Sequence, residues 1–194
     1  NIAVGQSVKD YMKRYYNLSD DCISVVYNAV NNRNIKWEDD ERIQQWKREG
    51  SFIVGNIGRI NTQKGFEYYI RAAEILKRKK CNIKFLIIGD GVLYKEIKAM
   101  TDSLQLNDIV YFYGFSDNIF NVIRQLDLVV LSSLWEGFPL TPIETFSMGK
   151  TIVATDVPGT IEIVKDGQNG IVVPIKDEKG IADAEEMTNV PKKL

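Results

Sequence analysis

From residue 52 onward the chain alternates short, unbroken apolar runs with longer segments whose apolar residues recur every three or four positions. The runs are "FIVGNIG" (52–58), "IKFLIIG" (83–89), "IVYFYG" (109–114), "LDLVVLSS" (126–133), "TIVAT" (151–155) and "GIVVP" (170–174). Aliphatic and β-branched runs ended by Gly or Ser predict parallel strands covered on both faces. Between them, "GFEYYIRAAEILKRKK" (65–80) sets Phe66, Tyr69, Ile70, Ala73 and Leu76 on one face at helical spacing. Its basic end, Lys77 to Lys80, reads as a solvated helix C-terminus favoured by the helix dipole. Further helices are predicted over 93–104, 117–125, 142–149 and 159–165. Such alternation predicts an α/β protein with a Rossmann-like, doubly wound parallel sheet.

The first fifty residues follow a different pattern. "SVKDYMKRYY" reads as a helix, "CISVVYNAV" as a strand leading into a turn, and 38–48 as a polar helix. The stretch resembles the tail of a preceding domain and a linker. At the other end "EEMTNVPKKL" is short and polar, so the chain is expected to be part of a longer protein.

Composition narrows the chemistry. With 194 residues, 44% of them hydrophobic, the chain is long enough for one sizeable domain. A formal net charge of -1 supplies no global basic field, so no nucleic-acid partner is expected. Its two cysteines, Cys22 and Cys81, are too few and too far apart for a disulfide framework or a zinc cluster. Reduced thiols fit a cytoplasmic compartment. No apolar run approaches the roughly 20 residues of a membrane span, and the N-terminus lacks a signal-peptide pattern. The absence of histidine excludes Ser-His-Asp hydrolysis, Cys-His chemistry and histidine-ligated metals. Catalysis would have to run on carboxylates, Arg and Lys, hydroxyls and backbone amides.

Three loops carry such groups. "GRINTQKG" (58–65) follows the first core strand. Gly58 permits an unusual backbone, and Arg59 and Lys64 bring two cations to the carboxyl end of the sheet, where helix-N-terminal amides and positive charge suit a diphosphate. A solvated loop with incidental charge is the plainer alternative. "IIGDGVLYKEI" (87–97) holds Gly-x-Gly, but position 94 is Tyr and position 110 is Val, where a dinucleotide fingerprint needs a third glycine and an acidic residue. A tight turn beside a ligand crevice is the better reading. In "SSLWEGFPLTPIETFSMGK" (132–150), Thr141, Pro142 and Glu144 have the form of an N-cap, a first-turn proline and a capping-box glutamate. That explains Glu144 without function. It leaves Glu136, Gly137 and Phe138 unexplained, and the amides of 137, 138 and 140 are candidates to hold a phosphate.

Taken in order, these segments resemble the C-terminal, donor-binding domain of glycosyltransferase family 4, of the GT-B fold. "SVVYNAV" is similar to the family's hinge strand and "GRINTQKG" to its Gly-Arg-Lys-Gly loop. "IIGDG", "VYFYGF", "LVVLSSLWEGFPLTPIETFSMGKTIVATDVPG" and "EIVKDGQNGIVVP" follow, with the E-x7-E element at Glu136 and Glu144. The resemblance implies that residues 1–34 are a remnant of the N-terminal domain and hinge, and that 35–194 form the nucleotide-sugar-binding domain with an incomplete terminal helix. It implies catalytic roles for Arg59 and Lys64 at the donor diphosphate and for Glu136 at the sugar hydroxyls. It also implies donor contacts from Gly58, from Gly137, Phe138 and Leu140 near the distal phosphate and sugar, from Glu144 at the ribose, and from Gly114 and Phe115 near the base. The donor would be a nucleoside-diphosphate sugar, transferred with retention and with neither metal nor cofactor. The acceptor, a polysaccharide or glycolipid precursor, would bind the missing N-terminal domain, the only part through which a cytoplasmic protein of this kind would touch a membrane. The fragment alone would be inactive. Asn28-Ala29 and "DVPGT" depart from the family's usual Asn-Gly and Gly-Gly. The weighed alternatives are a GT-B phosphorylase or nucleotide-sugar epimerase, a dinucleotide-binding domain, and a non-catalytic nucleotide-binding module of the same fold.

Overall fold

The computed structural model describes residues 1–31 and 35–189, so the expected boundary after residue 34 and the extreme C-terminus lie outside the described residues. Among the described residues eight strands run in chain order: β1 Ile2–Ala3, β2 Ser24–Val25, β3 Phe52–Ile57, β4 Ile83–Ile88, β5 Val110–Gly114, β6 Leu128–Leu131, β7 Thr151–Thr155 and β8 Ile171–Val173. The helices are α1 Gln6–Tyr16, α2 Glu41–Arg48, α3 Phe66–Arg78, α4 Tyr94–Ser103, α5 Ile119–Gln125, α6 Leu140–Ser147, α7 Pro158–Ile161 and α8 Glu178–Asn189. Strands β3 to β8 form one parallel six-stranded sheet in the order β5-β4-β3-β6-β7-β8.

Alternation along each strand divides the core into two layers, as a period of two requires. Val54, Phe85, Ile87, Leu128, Val130 and Val153 point to one face, with α3, Ile97 of α4, and Ile181 and Ala182 of α8. Ile53, Leu86, Ile88, Val129, Leu131 and Ile152 point to the other, with Ile43 of α2 and Val122 and Ile123 of α5. Each such aliphatic side chain contributes roughly 1.5–3 kcal/mol when fully buried. The hydroxyl of the fully buried Tyr69 donates to the carbonyls of Val54 (3.0 Å) and Leu86 (3.3 Å), so its polar end is satisfied inside the core.

The structure changes several predicted elements. The run 126–133 pairs only over Leu128–Leu131; beyond it Ser132 Oγ donates to the Lys64 carbonyl and Ser133 Oγ to Glu136. The predicted strand in 22–30 shrinks to Ser24–Val25, paired with β1. The helix predicted over 159–165 stops at Ile161. Helix α8, which the apolar pattern did not mark, packs Ile181, Ala182 and Ala184 on the α3 face of the sheet. Among the described residues no helix is long and apolar enough to cross a membrane.

Candidate functional site

Strand order reverses direction between β3 and β6, so the loops leaving these strands diverge and open a crevice at their carboxyl ends. The β3–α3 loop carries Gly58, Arg59 and Lys64, and the β6–α6 loop carries Glu136, Gly137 and Phe138 and leads into Leu140, the first residue of α6. Backbone fit fixes the first loop. A Cβ on Gly65, which has φ +57°, would lie 2.3 Å from the Ser132 carbonyl oxygen, and one on Gly89 would lie 2.0 Å from that of Gly58. A Cβ on Gly91 would likewise come within 2.3 Å of the Ile60 carbonyl oxygen. The Gly-x-Gly pair thus lets the β4–α4 turn press against the β3–α3 loop.

Polar side chains complete the frame. The buried Asn56 donates its Nδ2 to Ser132 Oγ (2.8 Å), which donates in turn to the Lys64 carbonyl (2.9 Å). Lys64 Nζ then reaches Glu136 Oε1 at 2.5 Å, an ion pair whose side chains are only 15% and 7% exposed. Ser133 Oγ donates to the same Oε1 at 2.7 Å, and Gln63 Nε2 to Oε2 at 3.3 Å. Ser133 and Gln63 escaped sequence reasoning, although Ser133 lies three residues before a loop glutamate, a spacing that permits this contact.

Beside this pair lies a pocket of about 400 Å³, lined by Gly58, Arg59, Asp90, Phe115, Ser116 and Glu144 over an apolar base of Ile57, Ile88 and Ile119. Arg59 and Phe115 are exposed at its walls, and no hydrogen bond or ion pair engages the Arg59 side chain among the described residues. Gly114 ends β5 with φ +85°, and its carbonyl accepts from the Gly89 amide at 2.8 Å. Burial pushes the Glu144 carboxyl up from the ordinary glutamate range, against the pull of Lys64.

The capping box is corrected by the structure. Helix α6 begins at Leu140, its cap is Pro139, and no side chain caps it. Pro142 falls in the first turn, where an N–H has no intrahelical partner to lose, so the proline does not delay the helix. Thr141 is inside α6 and its carbonyl accepts from Thr145 Oγ1 (2.7 Å). Glu144 sits more than a turn into the helix and is freed from capping, facing the pocket. Leu140, 44% exposed, occupies the first helical position.

Gly137 and Phe138 are drawn toward the N-terminal segment. The Phe138 ring packs on Tyr27 with centroids 5.0 Å apart, and its carbonyl accepts from Asn28 Nδ2 (3.1 Å). Gly159 backs this loop closely: a Cβ there would lie 2.2 Å from the Gly137 carbonyl oxygen. The structure therefore brings Gly58, Arg59, Phe115 and Glu144 to one pocket and Lys64 and Glu136 to an adjoining pair. The Phe138 ring faces the chain's own start. Among the described residues no group of three or more Cys, Asp or Glu is arranged to hold a metal ion.

Residues 38–186 match the sequence profile of the family described as glycosyl transferases group 1. The chain belongs to the group 1 glycosyltransferases. An uncharacterized glycosyltransferase of Methanocaldococcus jannaschii is 30% identical over 190 residues, which cover 93% of this chain and 48% of that protein. The UDP-Gal:alpha-D-GlcNAc-diphosphoundecaprenol alpha-1,3-galactosyltransferase of Escherichia coli is 31% identical over 153 residues, covering 77% of this chain and 38% of the relative. The chain thus spans about half the length of the curated relatives it matches, or less. Anabaena HepE, solved in complex with UDP and glucose, superposes with a TM-score of 0.86 at 22% identity, covering 99% of this chain and 54% of that one. This likeness agrees with the expected fold, a Rossmann-like half of a GT-B glycosyltransferase.

Proposed function

We propose that this group 1 glycosyltransferase chain is the donor-binding half of a retaining family 4 enzyme that takes a sugar from a nucleoside diphosphate. The observation that carries this reading is the convergence of Arg59, Lys64, Glu136 and Glu144 at the sheet's switch point. Cleaving the anomeric C–O bond builds positive charge on the sugar and negative charge on the departing diphosphate. Arg59 and Lys64 stabilise that leaving group without a metal, Glu136 receives sugar hydroxyls, and Glu144 receives the ribose hydroxyls. The pocket beside Phe115 and Ser116 takes the base.

Two relatives support the reading through what they bind or use: HepE was solved with UDP and glucose, and the E. coli relative is named for a UDP-Gal donor and a lipid-diphosphate acceptor. In this reading residues 1–34 belong to the hinge and preceding domain. That domain binds the polysaccharide or glycolipid acceptor, and the 194-residue chain alone transfers no sugar.

Thermal-shift titration with UDP, GDP and ADP, each with and without EDTA, tests this. A ligand at 100 times its dissociation constant stabilises by about 2.7 kcal/mol, well within detection. One nucleoside diphosphate should raise the melting temperature in EDTA as in buffer. Stabilisation by none of the three and by none of UDP-glucose, GDP-mannose and ADP-glucose would refute the donor site, and stabilisation only with added Mg²⁺ or Mn²⁺ would assign the diphosphate to a metal.

A further inference from the structure

The two groups assigned to different parts of the donor are bonded to each other. Lys64 Nζ, meant for the diphosphate, lies 2.5 Å from Glu136 Oε1, meant for the sugar, and both side chains are largely shielded from water. A diphosphate can engage Lys64 only by drawing the ammonium away from this carboxylate. What then remains on Glu136 is Ser133 Oγ at 2.7 Å and a long contact from Gln63 Nε2 at 3.3 Å. Gln63 Nε2 is itself shared with the Trp135 carbonyl at 3.0 Å. A buried carboxylate short of donors is costly, and little water reaches this one to replace the ammonium.

We propose that the Lys64–Glu136 pair makes the site select a whole nucleotide sugar over the bare nucleoside diphosphate. The inference rests on the donor-binding reading above. A sugar hydroxyl donates to Glu136 as Lys64 moves to the phosphates, so the intact donor leaves no charge unpaired. After transfer the sugar is gone, Glu136 reclaims Lys64, and the diphosphate is expelled. Glu136 thereby sets donor specificity and speeds product release, with Ser133 as the positioning residue that moderates how strongly it competes.

Calorimetric titration of the wild-type chain, Glu136→Gln, Ser133→Ala and the Lys64→Met/Glu136→Gln double variant tests this. The probes are UDP and UDP-glucose, with GDP and GDP-mannose, and ADP and ADP-glucose, in parallel. Glu136→Gln should bind the bare diphosphate at least about tenfold tighter, the scale of one charged hydrogen bond released to the ligand. It should bind the sugar conjugate no tighter than wild type does, and the double variant should lose the gain. Ser133→Ala should shift the opposite way, weakening the diphosphate several-fold, because Glu136 then depends more on Lys64. If the wild type binds a diphosphate and Glu136→Gln binds it no tighter, the selection mechanism is wrong while the donor site stands. If the wild type binds none of the diphosphates and none of their sugar conjugates, the donor site itself fails. Should Glu136→Gln not fold, an unchanged diphosphate affinity in Ser133→Ala overturns the proposal.

Discussion

The Glu162 carboxylate accepts the Ser7 amide proton at 2.6 Å, and its second oxygen accepts that of Gln6 at 2.7 Å. These are orphan donors of the first turn of α1, so a residue just after α7 caps a helix more than 150 positions earlier. The start of α1 also touches the site loop: Ser7 Oγ donates to the Gly137 carbonyl at 3.4 Å, and a Cβ on the cap residue Gly5 would lie 2.8 Å from the Phe138 ring.

Glu162→Ala should therefore release α1, at a cost of about 0.5–2 kcal/mol, as for other lost N-caps. Amide hydrogen exchange at Gln6 and Ser7 should accelerate while β3 and β4 stay protected. Burial alone would raise the Glu162 carboxyl, but its hydrogen bonds to Ser7 and Gln6 prevail and hold it below the ordinary value. Its stabilisation is thus present above the unfolded value of about 4.3 and is lost as pH falls through the lower folded value. Unchanged exchange in the variant would mean that α1 is held by packing alone.

Arg59 offers a cleaner test of the phosphate site than Lys64, because its side chain pairs with nothing among the described residues. Arg59→Ala should leave the urea midpoint unchanged. It should weaken a nucleoside diphosphate by roughly 1.5–3 kcal/mol, about 10- to 150-fold, and the nucleoside hardly at all. Titrations of UDP and uridine against both proteins measure this, and equal losses would move Arg59 away from the phosphates.

Glu144 caps nothing, so Glu144→Gln should not weaken the start of α6. It should lower the affinity for UDP more than that for 2′-deoxy-UDP, since the ribose hydroxyls lose a charged acceptor. Burial raises the native carboxyl, while Lys64 partly opposes it. A raised value means that stability falls as pH rises above about 4.3 toward the folded value, a slope that Glu144→Gln should flatten. Equal losses for UDP and 2′-deoxy-UDP would place Glu144 away from the 2′ position.

Glu185, on α8, is fully buried, and neither carboxylate oxygen has a hydrogen-bond partner. Burial pushes its carboxyl well above the ordinary value, so the fold carries it protonated at low pH. Its contribution is most favourable below about 4.3 and declines as the pH rises toward the folded value. Glu185→Met should raise stability near neutral pH by about 1–3 kcal/mol and reduce this slope. Urea melts between pH 4 and 8 supply the measurement, and a destabilised variant would reveal a partner for the carboxylate.

The sequence alone determined where the six core strands lie and which loops follow them, because an unbroken aliphatic run encodes burial on both faces whatever its neighbours. It also placed Arg59, Lys64, Glu136 and Glu144 in the loops after β3 and β6 or on the helix that follows. Only the tertiary structure decided that Lys64 and Glu136 pair, since residues 72 positions apart meet through the strand order β4-β3-β6-β7 and not through any local period. The start of α6 was likewise misjudged from local signals. Thr141-Pro142-Ile143-Glu144 has the composition of a cap, yet the chain arrives extended at Pro139 and the helix begins at Leu140. Helix α8 was hidden because its polar residues outnumber the few positions that meet α3. Gly89 and Gly91 read in the sequence as a tight turn and not as a cofactor fingerprint, and the structure adds the steric reason. Only a residue without a side chain lets the β4–α4 turn touch the backbone that presents Arg59.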